Sequence, residues 1–291
     1  MKIYIPLLYS EKIKRPGQKY FLYHIIGEDF IVLLLSFTTF SSHPLANAIG
    51  LLFLQIAFWC IYEIGYVEND IIGEKFEEKA VLSYTYDSYE YSFLWWQPWL
   101  WGFCLSVLGI FILRKDIALN SQFFDILLAS KFDSEIIQIA KGFVCWIGFL
   151  LALRYLFHIY NNLNKQSRVW FYLLLQNLRY CGYLVLLTTN LIGLIFLVSK
   201  ILTRSIQYIL YRYMGGKNSD WPMDFPRYFF CLLIYLLLLC TFAVNNRDLS
   251  LIINYQVPLI IVFCLLRGFK NFQKVSSQFI DVREDGSNRV T

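Results

Sequence analysis

Charge is what this sequence has least of. Only 16% of its 291 residues are Asp, Glu, Lys or Arg, while 57% are hydrophobic and the mean hydropathy is +0.49. Soluble domains carry about 25% charged residues, so a freely soluble globular domain is excluded. The seven cysteines, at 60, 104, 145, 181, 231, 240 and 264, include no CxxC pair and all lie in or beside apolar segments. That gives a disulfide framework or a zinc site little support and reads them as small hydrophobes. Internal repeats and low-complexity tracts are absent. The N-terminal MKIYIPLLYSEKIKRPGQK lacks the apolar core and small-residue cleavage site of a signal peptide. Its Lys12, Lys14, Arg15 and Lys19 read instead as a cytoplasmic basic flank, so the net charge of +5 fits membrane topology and asks for no nucleic-acid partner.

What the chain does have is long apolar runs, among them FCLLIYLLLLCTFAV (230–244) and YLVLLTTNLIGLIFLV (183–198). A bilayer core needs about 20 mostly apolar residues per helix. The expected architecture is therefore all-α, a polytopic transmembrane bundle of about eight helices, with seven to nine as the range. Spans are expected at 25–42, 46–66, 92–113, 136–158, 169–203, 227–245 and 250–266. Pro44 should break the first hairpin. Residues 1–280 form one integral-membrane domain, and 281–291 form a polar tail. Lys and Arg mark the cytoplasmic side. The stretch 169–203 reads either as one long helix or as two. A bend near Arg179-Tyr180-Cys181-Gly182 keeps Lys200, Arg204, Arg212, Lys217, Arg267, Lys270 and Lys274 inside, which favours two, with both termini cytoplasmic.

Against that apolar background the segment EIGYVENDIIGEKFEE (63–78) is conspicuous. If the second span runs on as a helix, Glu63, Asp70, Glu74 and Glu77 fall on one face, with Tyr66 on the same stripe. Asn69 and Gly73 sit to one side, and Glu68 and Glu78 point elsewhere. Like charges four residues apart destabilise a helix, and an ionisable group at membrane depth usually faces a partner or a cavity. A hard divalent cation such as Mg²⁺ relieves both problems, held by one or two carboxylates plus substrate phosphates. The plainer alternative is solvated interfacial charge, screened by Lys75 and Lys79.

The sequence GYVEND followed by IIGEKFE resembles the first aspartate-rich motif of the UbiA-type membrane prenyltransferases. In that family the second transmembrane helix ends in a Gly-Tyr-x-x-Asn-Asp-type sequence, with acidic residues following at N-D-x-x-D-x-x-x-D spacing. Asn69 and Asp70 match the pair and Glu77 matches the last acid, but Gly73 stands at the middle aspartate and Glu74 comes one residue late. A second acidic motif of D-x-x-x-D form finds a counterpart in SDWPMDFPR (219–227), where Asp220 and Asp224 have the spacing and Pro222 departs from the pattern. Turn-forming aspartates in a proline-containing loop are the plainer alternative there. NNLNKQSR (161–168) occupies the place of the family's link between halves.

The resemblance implies an intramembrane transfer of an isoprenyl group from a prenyl diphosphate to a lipophilic or membrane-proximal acceptor. It implies Asn69, Asp70, Glu74, Glu77, Asp220 and Asp224 as holders of Mg²⁺, with Asp70, Asn69 and Arg154 beside the reacting diphosphate. Glu63, Tyr66, His158, Lys165, Arg168 and Arg212 become substrate-binding candidates. Such chemistry needs cations and metal against the departing diphosphate, and aromatic faces against the allylic cation. Arg154 and His158 lie one turn apart near the cytoplasmic end of the fourth span, where they are expected to face the diphosphate. Snorkelling to headgroups is the alternative for Arg154. The aromatic cluster YEYSFLWWQPWLWGF (89–103) reads as an interfacial belt. Two further classes compete: a catalytically degenerate relative acting as a lipid-binding or scaffold subunit, and a small-molecule transporter with Glu63 on its pathway. The second is weakened by the lack of repeats.

Overall fold

A computed structural model describes residues 4–77, 82–86, 93–118, 135–164, 166–213 and 226–276, and their regular structure is helical throughout. Four helices are long and apolar enough to cross a bilayer: Pro44–Phe76, Ile136–Asn162, Leu191–Tyr213 and Arg227–Asn246. Shorter apolar helices cover Trp96–Ile112 and Gln256–Phe269. The chain is a helical membrane protein. It divides into two compact units, Met1–Leu197 and Val198–Thr291.

In the first unit, π-wound Phe21–Phe30 runs on into α-helical Ile31–Phe37, together α1. After the hairpin comes α2 (Pro44–Phe76), which starts with proline at its first position, where the missing N–H has no intrahelical acceptor anyway. The expected second span stops at 66, and the helix runs on past it, as the acidic stripe supposed, for ten residues before ending where Glu77 turns extended. Next come α3 (Trp96–Ile112), α4 (Glu135–Asn162) and α5 (Arg168–Cys181). α2 is the hub, packed against α3 and α4. Close approach to α4 depends on Gly65, where an added Cβ would lie 2.1 Å from the Phe157 ring. Trp95, Trp96, Trp101 and Phe103 are exposed at or beside α3, as lipid-facing aromatics should be.

The break anticipated near Arg179–Gly182 is present. α5 ends at Cys181, a 3₁₀ turn covers Gly182–Val185, and α6 (Leu191–Tyr213) starts afresh. Asn190 provides the new start: its Oδ1 accepts the Gly193 N–H at 2.8 Å, the N-cap role that a short amide side chain fills well. Gly193 is needed because α6 presses on the backbone of α1, with Ser36 O only 2.7 Å from where a Cβ would stand.

The second unit holds the remainder of α6, then α7 (Cys231–Asn246) and α8 (Gln256–Ser276). Lys200 is fully buried there; its ammonium donates to Arg227 O at 3.2 Å and lies 4.5 Å from the Tyr228 ring centre. A carbonyl and an aromatic face together offset its desolvation. Arg212 donates to the Tyr208 hydroxyl at 2.9 Å in this unit.

Candidate functional site

α2 carries an aromatic and acidic arc toward the interior of the first unit. Trp59, Tyr62, Tyr66, Glu63 and Asp70 fall within about 100° of one another at 3.6 residues per turn. Rings pack along it: Trp59–Tyr62 at 5.1 Å, Tyr62–Tyr66 at 5.2 Å, and Tyr62–Phe157 at 4.7 Å.

The acidic end of the arc is closed by the N-terminal segment, whose π-helix spans Ser10–Lys14. Glu63 is fully buried and accepts three hydrogen bonds: from the Tyr4 hydroxyl at 2.6 Å, Leu7 N–H at 3.0 Å and Ser10 N–H at 2.6 Å. Two of those donors are backbone groups at the start of the short N-terminal helix, where a carboxylate is best placed. Asp70, also buried, accepts from the Tyr9 hydroxyl at 2.8 Å and pairs with Lys14 Nζ at 2.5 Å. Burial, with the Asp70 carboxylate beside it, pushes the Tyr9 phenol above its ordinary range and keeps it a donor. The Lys14 ammonium also lies 5.8 Å from the Tyr66 ring centre.

The other acids take separate directions. Glu74 is exposed and accepts from the Tyr86 hydroxyl at 2.9 Å. Glu77 does not share the stripe as expected, because the helix ends at Phe76; it pairs with Arg168 Nη1 at 2.7 Å instead. Arg168 is tied further to the carbonyls of Asn161 and Leu163. Asn69 is half-buried, and its amide has no hydrogen-bond partner among the described residues.

Arg154 and His158 require a correction. They are one turn apart on α4 as expected, but they face Glu68, which lies about 160° round α2 from Asp70. Arg154 grips Glu68 through two bonds of 3.0 Å, His158 Nδ1 lies 2.6 Å from it, and Asn161 Nδ2 donates at 2.9 Å. Glu68 indeed points away from the stripe, and that is where Arg154 and His158 turn. Lys165, Asp220 and Asp224 lie outside the described residues. Among the described residues no three His, Cys, Asp or Glu side chains gather to hold a metal.

Sequence reasoning missed a buried charged pair deeper in this unit. Asp29 on α1 accepts Arg179 Nε at 3.0 Å, a second bond from the same guanidinium, and the Tyr180 hydroxyl at 2.8 Å. Arg179 lies 4.7 Å over Trp59 and 5.8 Å from Tyr62. The signal was available: both are ionisable residues inside apolar runs, which by default have a partner. Lys14 and Tyr9 were missed because a basic N-terminus was read only as a topology signal.

Compared with protein-family models, curated proteins and solved structures, the chain matches none.

Glu63 is expected to hold the N-terminal segment in place. All three of its partners are donors, so Glu63→Gln turns an amide N–H₂ toward an N–H or O–H, and Glu63→Ala removes every acceptor. A hydrogen bond to a charged group contributes about 1.5–3 kcal/mol. On that scale the loss of even one of them should raise local opening by about 10- to 100-fold. Limited trypsinolysis after Lys12 and Lys14 reads it directly. Cleavage at the wild-type rate in both variants would show that the segment is held elsewhere.

Proposed function

We propose that this chain is an eight-crossing membrane protein of UbiA-like layout, with both termini cytoplasmic, that transfers an isoprenyl group from a prenyl diphosphate to a lipophilic or membrane-proximal acceptor with Mg²⁺. One observation carries the reading. α2 runs unbroken from an aromatic interior to Asn69 and Asp70, so an amide and a carboxylate stand at the polar end of an aromatic arc flanked by the cations Lys14 and Arg179.

The residues fit a magnesium ion held the way that ion prefers, through one or two carboxylates with the substrate's phosphates as further ligands. Asp70 and the unpartnered Asn69 amide would hold it, with Glu74 one turn on. When bound, the metal would neutralise charge on the departing diphosphate. Lys14, now paired with Asp70, is placed to move its ammonium onto the same leaving group. Tyr66, Tyr62 and Phe157 offer ring faces to an allylic cation, and their packing excludes water. Arg154 and His158 take no part in this account, since Glu68 holds them on the other side of α2. Arg168 supports the site indirectly, fixing Glu77 just past the end of the helix. Asp220, Asp224, Lys165 and Arg212 remain part of the proposal on the strength of the sequence alone.

A second reading has its own support. Glu63, Glu68, Asp70, Glu74 and Glu77 each already have a protein donor or cation, as a metal-free, lipid-binding relative would need. Metal-dependent release of pyrophosphate from a panel of polyprenyl diphosphates decides between them. Release that requires Mg²⁺ supports transfer. Prenyl lipid bound equally with and without Mg²⁺, and no pyrophosphate from any chain length, supports the second reading.

A further inference from the structure

The strongest unexplained feature of the first unit is Gln176. It lies in α5, is 0% exposed, and neither its amide nitrogen nor its amide oxygen has a hydrogen-bond partner among the described residues. A buried amide with both ends unmatched is unfavourable, and native structures leave few of them unless water or a ligand completes the set.

Its surroundings follow from the helix register. Tyr172, Gln176 and Arg179 fall within about 60° of one another on α5. Arg179 reaches across to Tyr62 on α2 at 5.8 Å, and Tyr172 is within electrostatic reach of the same ring. Along the helix Gln176 lies one turn from each of them, at the edge of the arc they share. Tyr62 is 3% exposed, and no partner for its hydroxyl occurs among the described residues. The guanidinium of Arg179 binds Asp29 through Nε and one Nη, and no acceptor for its other Nη occurs among the described residues. Trp59 and Phe157 supply apolar walls next to Tyr62.

We propose that Gln176, Tyr62 and the free edge of Arg179 form a buried subsite for the neutral carbonyl or hydroxyl head group of a lipid-soluble molecule. The donors are a hydroxyl, an amide N–H₂ and a guanidinium N–H; the Gln176 carbonyl adds an acceptor for a hydroxyl proton. An anionic head is disfavoured because Asp29 already balances Arg179, and a second anion would lie in a site with no further cation. The apolar body of the ligand lies against the rings. This assignment is independent of prenyl transfer, since a protein that only binds lipid would keep the site.

Purified full-length protein in nanodiscs is titrated with 4-decylphenol, 2-decyl-1,4-benzoquinone, decyl phosphate and decane, following thermal midpoint and tryptophan emission. The phenol or quinone should raise the midpoint in the wild type, with decane inert and decyl phosphate at least tenfold weaker. Gln176→Leu should weaken that binding at least tenfold while leaving the ligand-free midpoint equal or higher, because it removes an amide with no partner. Tyr62→Phe, which keeps the ring, should weaken binding by a smaller factor. Gln176→Met provides the same comparison with a flexible side chain should leucine fail to fold. The proposal is overturned if Gln176→Leu and Gln176→Met bind like wild type. It is equally overturned if decyl phosphate binds best, or if no head group moves the midpoint, which would leave only buried water beside the amide.

Discussion

Arg179→Met lowers the stability of the folded protein by about 3–5 kcal/mol, the scale seen when one partner of a buried ion pair is removed and the other is left uncompensated. That is a large share of the 5–15 kcal/mol typical of a folded domain. Asp29 would keep the Tyr180 hydroxyl at 2.8 Å as a donor but lose the opposite charge. The double variant Asp29→Asn/Arg179→Met should recover most of the loss. Neutral groups of similar volume remove the desolvation cost of both charges, and Met retains contact with the Trp59 ring that Arg179 now covers at 4.7 Å. Thermal unfolding of detergent-purified protein measures all four corners of the cycle, and the interaction energy should be favourable by well over the 0.5 kcal/mol expected of independent sites. A double variant as unstable as Arg179→Met alone would mean that side-chain packing, and not charge compensation, holds α5 to α1.

How much of this was legible beforehand depends on the kind of interaction. Helices followed from apolar runs because burial scales with apolar area, whichever partner supplies it. The break at Arg179–Gly182 followed from where cations collect. The extension of α2 past the membrane surface was assumed in order to build the acidic stripe, and the helix to Phe76 supports that assumption. Partner choice was not legible. Nothing local in the sequence says that Glu63 meets Tyr4 or that Asp70 meets Lys14, pairs 59 and 56 residues apart. Arg154 was expected to face a diphosphate, and not Glu68, for the same reason. Helix phase fixed the direction of Glu68, but the direction from which α4 approaches was needed to see that Arg154 and His158 meet Glu68.

The Lys14–Asp70 pair also separates folding from chemistry. Under the transfer reading, Asp70→Asn should reduce Mg²⁺-dependent pyrophosphate release by at least about 100-fold, the order lost when a charge-stabilising group is removed from a transition state. Folding should suffer far less. The Asn oxygen still accepts from Tyr9, and Lys14, with 16% of its side chain exposed, can turn its ammonium toward water. Lys14→Met/Asp70→Asn should therefore match the single Asp70→Asn variant or exceed it in thermal midpoint, yet stay inactive. Among the described residues Lys14→Met alone leaves the buried Asp70 carboxylate with the Tyr9 hydroxyl as its donor, so it should be the least stable of the three. In that variant Mg²⁺ has no ammonium to displace, and added Mg²⁺ should restore more stability than it adds to wild type. If Asp70→Asn turns over like wild type, Asp70 holds no metal, and its role is confined to anchoring the N-terminal helix beside Glu63.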